Sequence, residues 1–413
     1  MKKKEKTCVI IGASHAGVNC AFALRKEGWQ GAVVLIDSDP ELPYHRPPLS
    51  KTYLNEPAAD LQSLKPLESY HKNNIKLLLD KTVSKIDSLK RQIILYDGTC
   101  FEYTKLVLAT GAKPIIPPIE GLKQISKVFT LRTAGDITSI KNAFFKSDKK
   151  KAAIIGGGYI GLETAASLKK MGAEVTVLER ESRILARVTS SYISNFFQEL
   201  HKRNGVDIQV GKNVFAVENY NDTIRIYCDD ATEFDVDILI LGVGVKPNCT
   251  IASKAELKIS DGILVDEYTQ TSNEHIYAIG DVSYHYNKNY GYNVRLESVQ
   301  NAVEQSKIAA LNIAGKKIKY DTIPWFWSDQ FDIKLQIVGL ANGYTDVIVR
   351  EDDLEKPVIS VWYFKDETLL AVDAINNAKA YVFGTKFLKN KIRVDKAKLK
   401  DISVPINNSL EVN

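Results

Sequence analysis

Two stretches of this chain have the same build. CVIIGASHAG, from residue 8, is a short apolar run that ends in a glycine turn and then becomes the helical pattern VNCAFALRKEG. AAIIGGGYIG, from residue 152, repeats that order. In each case another apolar strand follows and ends in an acid, at Asp37 in AVVLID and at Glu179 in EVTVLE. Short apolar runs bounded by glycine read as buried parallel strands. Strand, glycine turn, helix, strand and acid, in that order, form the unit that binds a dinucleotide. A chain that holds two of them is expected to be α/β, with two Rossmann-type dinucleotide-binding domains.

The glycines have separate tasks. Gly12 and Gly156 make the tight turn, and Gly17 and Gly161 let the helix pack closely on the strand. Gly158 lets the backbone approach the phosphates, and the first copy has Ser14 there. His15 and Ala16 in the first copy, and Tyr159 and Ile160 in the second, carry the turn into its helix. The free N–H groups and positive dipole end of each helix N-terminus face a pyrophosphate. Asp37, followed by Ser38, and Glu179 are placed to accept hydrogen bonds from ribose hydroxyls. A carboxylate at 179 also repels the extra phosphate of NADPH, which favours NADH, although Arg180 and Arg183 lie close enough to soften that preference.

At 413 residues, with 45% hydrophobic and 25% charged residues, the composition is that of a soluble globular protein of two or three domains. A net charge of +5 is too small to signal nucleic-acid binding. The five cysteines form no CxxC-type pair and the six histidines have no ligand spacing, so neither a disulfide scaffold nor a metal site is expected. The opening MKKKEK precedes a first strand rather than a signal peptide, because Ser14, His15 and Asn19 interrupt the apolar part. No other apolar stretch approaches the roughly 18 residues of a membrane span. A cytoplasmic protein is expected.

Between and after the two units come IKLLL, KTVSKID and RQIILY, which look antiparallel with a turn at Asp97-Gly98, then LVLATG, LGVGVKPN and YAIGD. In that order, with GASHAG and GGGYIGLE, these motifs resemble the FAD-dependent pyridine nucleotide-disulfide oxidoreductase superfamily of the glutathione-reductase type. The resemblance implies an FAD-binding domain at 1–115 and 247–322, an NAD-binding domain at 116–246 inserted in it, and a small α+β C-terminal domain at 323–413. Disulfide reductases of this superfamily carry a cysteine pair soon after the first unit. This chain has DPELPYHRPPLSKTYL there, without cysteine, which excludes a thiol relay. That segment, PWFWSDQF and ESVQNAVEQ resemble the oxygenase-coupled NADH-dependent ferredoxin reductases. Rubredoxin reductases, monodehydroascorbate reductases and the apoptosis-inducing-factor-like signalling flavoproteins are the alternatives.

The resemblance implies that NADH reduces a non-covalent FAD, which passes single electrons to a small acidic iron–sulfur protein, a [2Fe–2S] ferredoxin, feeding an oxygenase. It places Lys51 beside the flavin ring with Glu163 as its partner, where an ammonium stabilises negative charge on the reduced ring. It also assigns Arg46 to the flavin or its pyrophosphate and Asp281, after Gly280, to the ribityl chain. The helix from Val299 is assigned to the pyrimidine end of the flavin. Val83, Arg132, Ala109, Thr110 and Gly111 are further FAD contacts, and Gly244 belongs to the nicotinamide unit. Trp327, within Trp325, Phe326 and Trp327, is the candidate to cover the flavin away from NADH. In the group the FAD ribose acid commonly sits one position after Asp37, at Ser38. The basic run KFLKNKIRVDKAKLK is a solvated face or a steering surface for an acidic ferredoxin. A monomer or weak homodimer is expected, with neither nucleic acid nor membrane as partner.

Overall fold

The computed structural model describes residues 6–56, 58–353 and 355–410, so Lys2 to Glu5 of the basic opening lie outside the described residues. The chain divides into two compact units. One holds residues 1–46, 60–113 and 245–322, and the other holds 47–59, 114–244 and 323–413.

The first unit is built on a five-stranded, all-parallel sheet. Its strands lie in the order Ile276–Ala278, Lys105–Leu108, Thr7–Ile11, Ala32–Ile36 and Ile75–Leu78. The IKLLL segment is thus a parallel edge strand of this sheet, not part of an antiparallel run. Its Ile75 and Leu77 face the hydrophobic cluster with Val33 and Leu35, and the parallel register buries them there. The antiparallel sheet that follows is Val83–Asp87, Gln92–Leu95 and Cys100–Glu102, with the Asp97-Gly98 turn between its last two strands. The helices His15–Lys26 and Val299–Ile313 pack on the main sheet through small side chains, with Ala16, Cys20 and Ala21 in one cluster with Ala302, Ala309 and Ala310.

The second unit repeats the architecture. Its five parallel strands run Val206–Val210, Glu174–Glu179, Lys151–Ile155, Ile238–Leu241 and Val128–Thr130. The helix Tyr159–Lys170 follows the central strand, and the helix Ser191–Arg203 precedes Val206–Val210. Residues beyond 323 form a five-stranded antiparallel sheet, from Trp325–Gln330 at one edge to Asp346–Asp353 at the other, with the helix Ala378–Asn390 packed on it.

The same backbone geometry recurs in both glycine turns. Gly12 and Gly156 have φ of +103° and +111°, which a residue with a Cβ rarely adopts. A Cβ on Gly17 would lie 1.8 Å from the Gly12 carbonyl oxygen, and one on Gly161 would lie 2.1 Å from that of Gly156. A Cβ on Gly158 would meet nothing within 4 Å, and this is why Ser14 is tolerated at the matching position. We therefore expect Gly158→Ser to melt within a few degrees of the parent. Gly161→Ala should lose at least roughly 1–3 kcal/mol, since the helix must lift off its strand. Calorimetry of the two variants side by side checks this.

Candidate active site

The residues flanking the first glycine turn come together from distant parts of the chain. Asp37 follows the strand Ala32–Ile36, and its Oδ2 accepts the Ala13 N–H of the turn while Oδ1 accepts the Asp39 N–H at 2.9 Å. The carboxylate therefore braces the turn from below. Ser38, beside it, is exposed. Ser14 is the N-cap of the helix His15–Lys26, but its hydroxyl does not cap the helix. It accepts a hydrogen bond from the Arg46 Nε at 2.9 Å, and the Arg46 guanidinium lies 5.4 Å from the centre of the Tyr44 ring. A pocket opens here among Ala13, Ser14, Asp37, Tyr44 and Arg46.

Gly280 approaches the same helix, because a Cβ on it would lie 3.0 Å from that of Ala16. Its N–H is held by Gln305 Oε1 at 2.8 Å, and Asp281 is the next residue along the chain. Ala109 donates its N–H to the Ile11 carbonyl at 2.8 Å. Thr110 and Gly111 are clamped by Asn248, whose amide donates to the Thr110 carbonyl while the Thr110 hydroxyl donates to the Asn248 carbonyl. His15 and Gly17 are buried in the turn. Val299 opens its helix, but the Ser298 hydroxyl already takes the Asn301 N–H there. Val83 packs in the hydrophobic cluster with Ile36 and Leu95.

The second turn has the same brace. Glu179 Oε2 accepts the Gly157 N–H at 2.6 Å, and Oε1 accepts the Glu181 N–H at 2.8 Å. Gly158 is the N-cap and has no side chain to cap the helix, whose first turn contains no acid. Of the two arginines near Glu179, Arg183 is consumed by its own loop, donating to the carbonyls of Ala186 at 2.9 Å and Thr189 at 3.0 Å and to the Ser194 hydroxyl. Arg180 is exposed and pairs with Glu181. Ile160 is about half exposed, at 49%, whereas Tyr159 is partly buried and lies edge-on against Phe326 with ring centres 5.1 Å apart. Gly244, at φ +103°, accepts the Ile115 N–H at 3.0 Å. Arg132 gives its backbone N–H to Asp136, in the capping box of the helix Ala134–Lys146.

Lys51 and Glu163 are brought together in the second unit. Glu163 lies on the inner face of the helix Tyr159–Lys170 with 3% of its surface exposed. Its Oε2 accepts from Lys51 Nζ and from the Ser50 hydroxyl, both at 2.6 Å, and its Oε1 accepts from the Ser328 hydroxyl at 2.7 Å. Ser167 fixes the segment by donating to the Ser50 carbonyl at 2.6 Å. Ser50 and Ser328 are members of this cluster that sequence reasoning missed. The available signal was the period-two pattern of WFWSDQ, which puts Phe326, Ser328 and Gln330 on one face of a strand. On the other face Trp327 lies against Trp325, with ring centres 5.7 Å apart, and Trp325 also packs on Tyr381.

Residues 6–306 match the family described as pyridine nucleotide-disulphide oxidoreductase, and residues 325–410 match a reductase C-terminal family. The chain belongs to the pyridine nucleotide-disulphide oxidoreductase family. It is 38% identical to putidaredoxin reductase CamA of Pseudomonas putida over 96% of this chain and 95% of that one. A solved structure of the covalent putidaredoxin reductase–putidaredoxin complex matches with a TM-score of 0.92, at 38% identity and covering 97% of each chain. A ferredoxin reductase for the CYP199A2 system of Rhodopseudomonas palustris matches with a TM-score of 0.93, at 35% identity, covering 98% of this chain and 100% of that one.

The residues of this oxidoreductase fit FAD and NAD(H). Four other long helices, starting at Ala134, Ser191, Val299 and Ala378, carry a side-chain N-cap, and the two glycine-turn helices do not. Their first N–H groups are left for an anion, which suits a pyrophosphate at each. Among the described residues no helix is long and apolar enough to cross a membrane, and no group of His, Cys, Asp and Glu could hold a metal ion.

One titration in the second unit has a clear sign. His201 is fully buried, and burial lowers its pKa to about 4 from an ordinary value of about 6.5. The unfolded chain gains a proton there that the folded chain refuses, so this contribution to stability is present above pH ~6.5 and is lost as pH falls toward ~4, at about 1.4 kcal/mol per unit. Asp373, raised to about 6 by burial, acts in the opposite sense over part of that range. We expect urea midpoints of His201→Gln to depend less on pH between 7 and 5 than those of the parent, which a paired denaturation series measures.

Proposed function

We propose that this oxidoreductase is a cytoplasmic NADH-dependent ferredoxin reductase, passing electrons from NADH through FAD to a small iron–sulfur protein of the [2Fe–2S] ferredoxin kind that feeds an oxygenase. The observation that carries the reading is the Lys51–Glu163 ion pair in a segment, PELPYHRPPLSK, where a thiol relay would need cysteines. The five cysteines are free, and two of them, Cys8 and Cys20, are buried with their thiol pKa values pushed up by burial. They do not serve as nucleophiles. Residues 1–115 and 247–322 form the FAD domain in this reading, 116–246 the NAD domain, and 323–413 the C-terminal domain.

FAD supplies the chemistry that the side chains lack, taking an electron pair from NADH and giving electrons up singly. The chain's residues bind and bias it. The uncapped helix ends at Gly12–Gly17 and Gly156–Gly161 hold the two pyrophosphates. Asp37 and Glu179 keep lone pairs beyond those given to the turns, and these orient the riboses. With Arg183 committed to its own loop, Glu179 is left to disfavour a 2′-phosphate, hence NADH rather than NADPH. The Lys51 ammonium stabilises the negative charge of the reduced ring, and Glu163 keeps that ammonium oriented. Trp327 covers the ring on the side away from NADH. Lys386, Lys389, Lys391, Arg393 and Lys400 are exposed in the basic run and present a cationic face to an acidic acceptor.

The test is NADH-dependent cytochrome c reduction by the purified flavoprotein, with and without a small [2Fe–2S] ferredoxin, over a salt series. Strong stimulation by the ferredoxin that fades as salt screens the charges is expected, and Lys389→Glu/Lys391→Glu should weaken it while leaving flavin reduction by NADH intact. Normal flavin reduction with no stimulation by any of several ferredoxins would move the reading to a rubredoxin or small-molecule acceptor. In a separate comparison, Glu179→Ala should raise the KM for NADH about tenfold, for the loss of a charged hydrogen bond worth roughly 1.5 kcal/mol, and should narrow the gap to NADPH.

A further inference from the structure

The Lys51–Glu163 pair does not end at Glu163. Behind it runs a line of buried polar groups, each fully buried: Ser328 and Gln330 from the strand Trp325–Gln330, and His201 from the helix Ser191–Arg203. Ser328 Oγ is 2.7 Å from Glu163 Oε1, Gln330 Nε2 is 3.2 Å from Ser328 Oγ, and His201 Nε2 is 2.8 Å from Gln330 Oε1.

The direction of every proton in this line is fixed by elimination. Ser328 donates to Glu163 Oε1 and so spends its one hydroxyl proton there. Ser328 can then only accept from Gln330, which must present its NH2 to Ser328 and its carbonyl to His201. His201, neutral because burial depresses its pKa, must therefore carry its proton on Nε2. Its Nδ1 has no hydrogen-bond partner among the described residues, so the line ends there. All three residues donate toward one oxygen of Glu163, while Lys51 and Ser50 share the other. Ring contacts flank the line at both ends, with Phe326 on the same strand face against Tyr159, and Phe331, just past the strand, edge-on to His201 at 5.0 Å.

We propose that Ser328, backed by Gln330 and His201, is a positioning residue for the Lys51 ammonium. By occupying Oε1 it restricts Lys51 to Oε2 and fixes the plane of the carboxylate. Without it both oxygens turn toward Lys51 and draw the ammonium away from the ring it serves. This rests on the reading of Lys51 given under Proposed function. It assigns to the C-terminal sheet a part in setting the flavin's affinity for electrons, through a contact made by the side of the aromatic strand opposite Trp325 and Trp327.

The experiment is a double-mutant cycle on the FAD-loaded enzyme, read as the flavin midpoint potential by spectroelectrochemistry and as the rate of flavin reduction by NADH in stopped flow. Ser328→Ala should make the two-electron equilibrium about tenfold less favourable to the reduced ring, a shift of about −30 mV, and slow its reduction. Ser328→Thr, which keeps the hydroxyl, should restore both. Lys51→Met should lower the potential by itself, and Ser328→Ala should then add nothing. An unchanged potential in Ser328→Ala while Lys51→Met shifts it, or additive shifts in the double variant, would overturn the role of Ser328 and leave that of Lys51 standing. No shift in Lys51→Met would overturn the reading of Lys51 and the present one with it. Should Ser328→Ala fail to fold or to hold FAD, Gln330→Met, which removes both the donor onto Ser328 and the acceptor of His201, carries the same expectation with a smaller shift, and a parent-like potential in it overturns the proposal.

Discussion

A single electrostatic arrangement, used twice, underlies both binding units: a carboxylate at the end of the second strand that accepts one N–H from the glycine turn and one from its own chain two residues on. Asp37 does this for Ala13 and Asp39, and Glu179 for Gly157 and Glu181. A turn with a positive-φ glycine has several backbone amides to satisfy and no secondary structure to satisfy them. The brace takes one of them and sets the orientation of the next, so the following N–H groups project from the helix end. A negative charge near a helix N-terminus also stabilises that end, which lets both helices form without a side-chain cap. The anion site follows from that economy. An N-cap side chain would occupy the donors that a pyrophosphate needs, and the other long helices keep one.

The brace also explains why the first copy can depart from the glycine pattern. Once the turn is held from below by Asp37, the middle position has only to leave room for the ligand, and the corresponding site in the second copy is open space. Ser14 fills part of that space and uses its hydroxyl to receive Arg46. A lost glycine thus becomes a hydrogen-bonded attachment for a cation at the end of a helix that attracts anions. The first and third glycines have no such freedom, because backbone carbonyls of neighbouring segments lie where their side chains would be.

What the sequence made legible was the part of the structure encoded locally. A strand, a glycine turn and a helix are written in about thirty consecutive residues, so both parallel units, their glycines and their terminal acids could be read directly. The IKLLL strand was misassigned because a short apolar run has the same pattern in either sheet type, and its partner, Ala32–Ile36, is decided by packing. That the Arg183 guanidinium serves the loop 186–194 depends on how that loop folds back. The residues around Glu163 are the hardest case, since Ser50 and Ser328 come from segments more than a hundred positions away on either side. Only the alternation in WFWSDQ hinted that polar side chains share a face with Phe326 and point inward, and alternation does not name their partner.

Energetics give this buried cluster no obvious advantage in stability. Removing a lysine and a glutamate from water costs several kcal/mol per ion, and an apolar pair of similar volume is often as stable or more so. A fold that needed only stability at the join of the helix Tyr159–Lys170 and the strand Trp325–Gln330 could have used leucines, as the neighbouring cluster of Leu162, Ile333 and Leu335 does. Instead it surrounds one carboxylate with a cation and two hydroxyls and orders a further amide and imidazole behind it. Each donor takes up a lone pair of the carboxylate, and the carboxylate so fixed is what keeps the ammonium pointed. A preorganised positive charge stabilises negative charge where it develops, which is the role proposed above for Lys51 at the flavin ring.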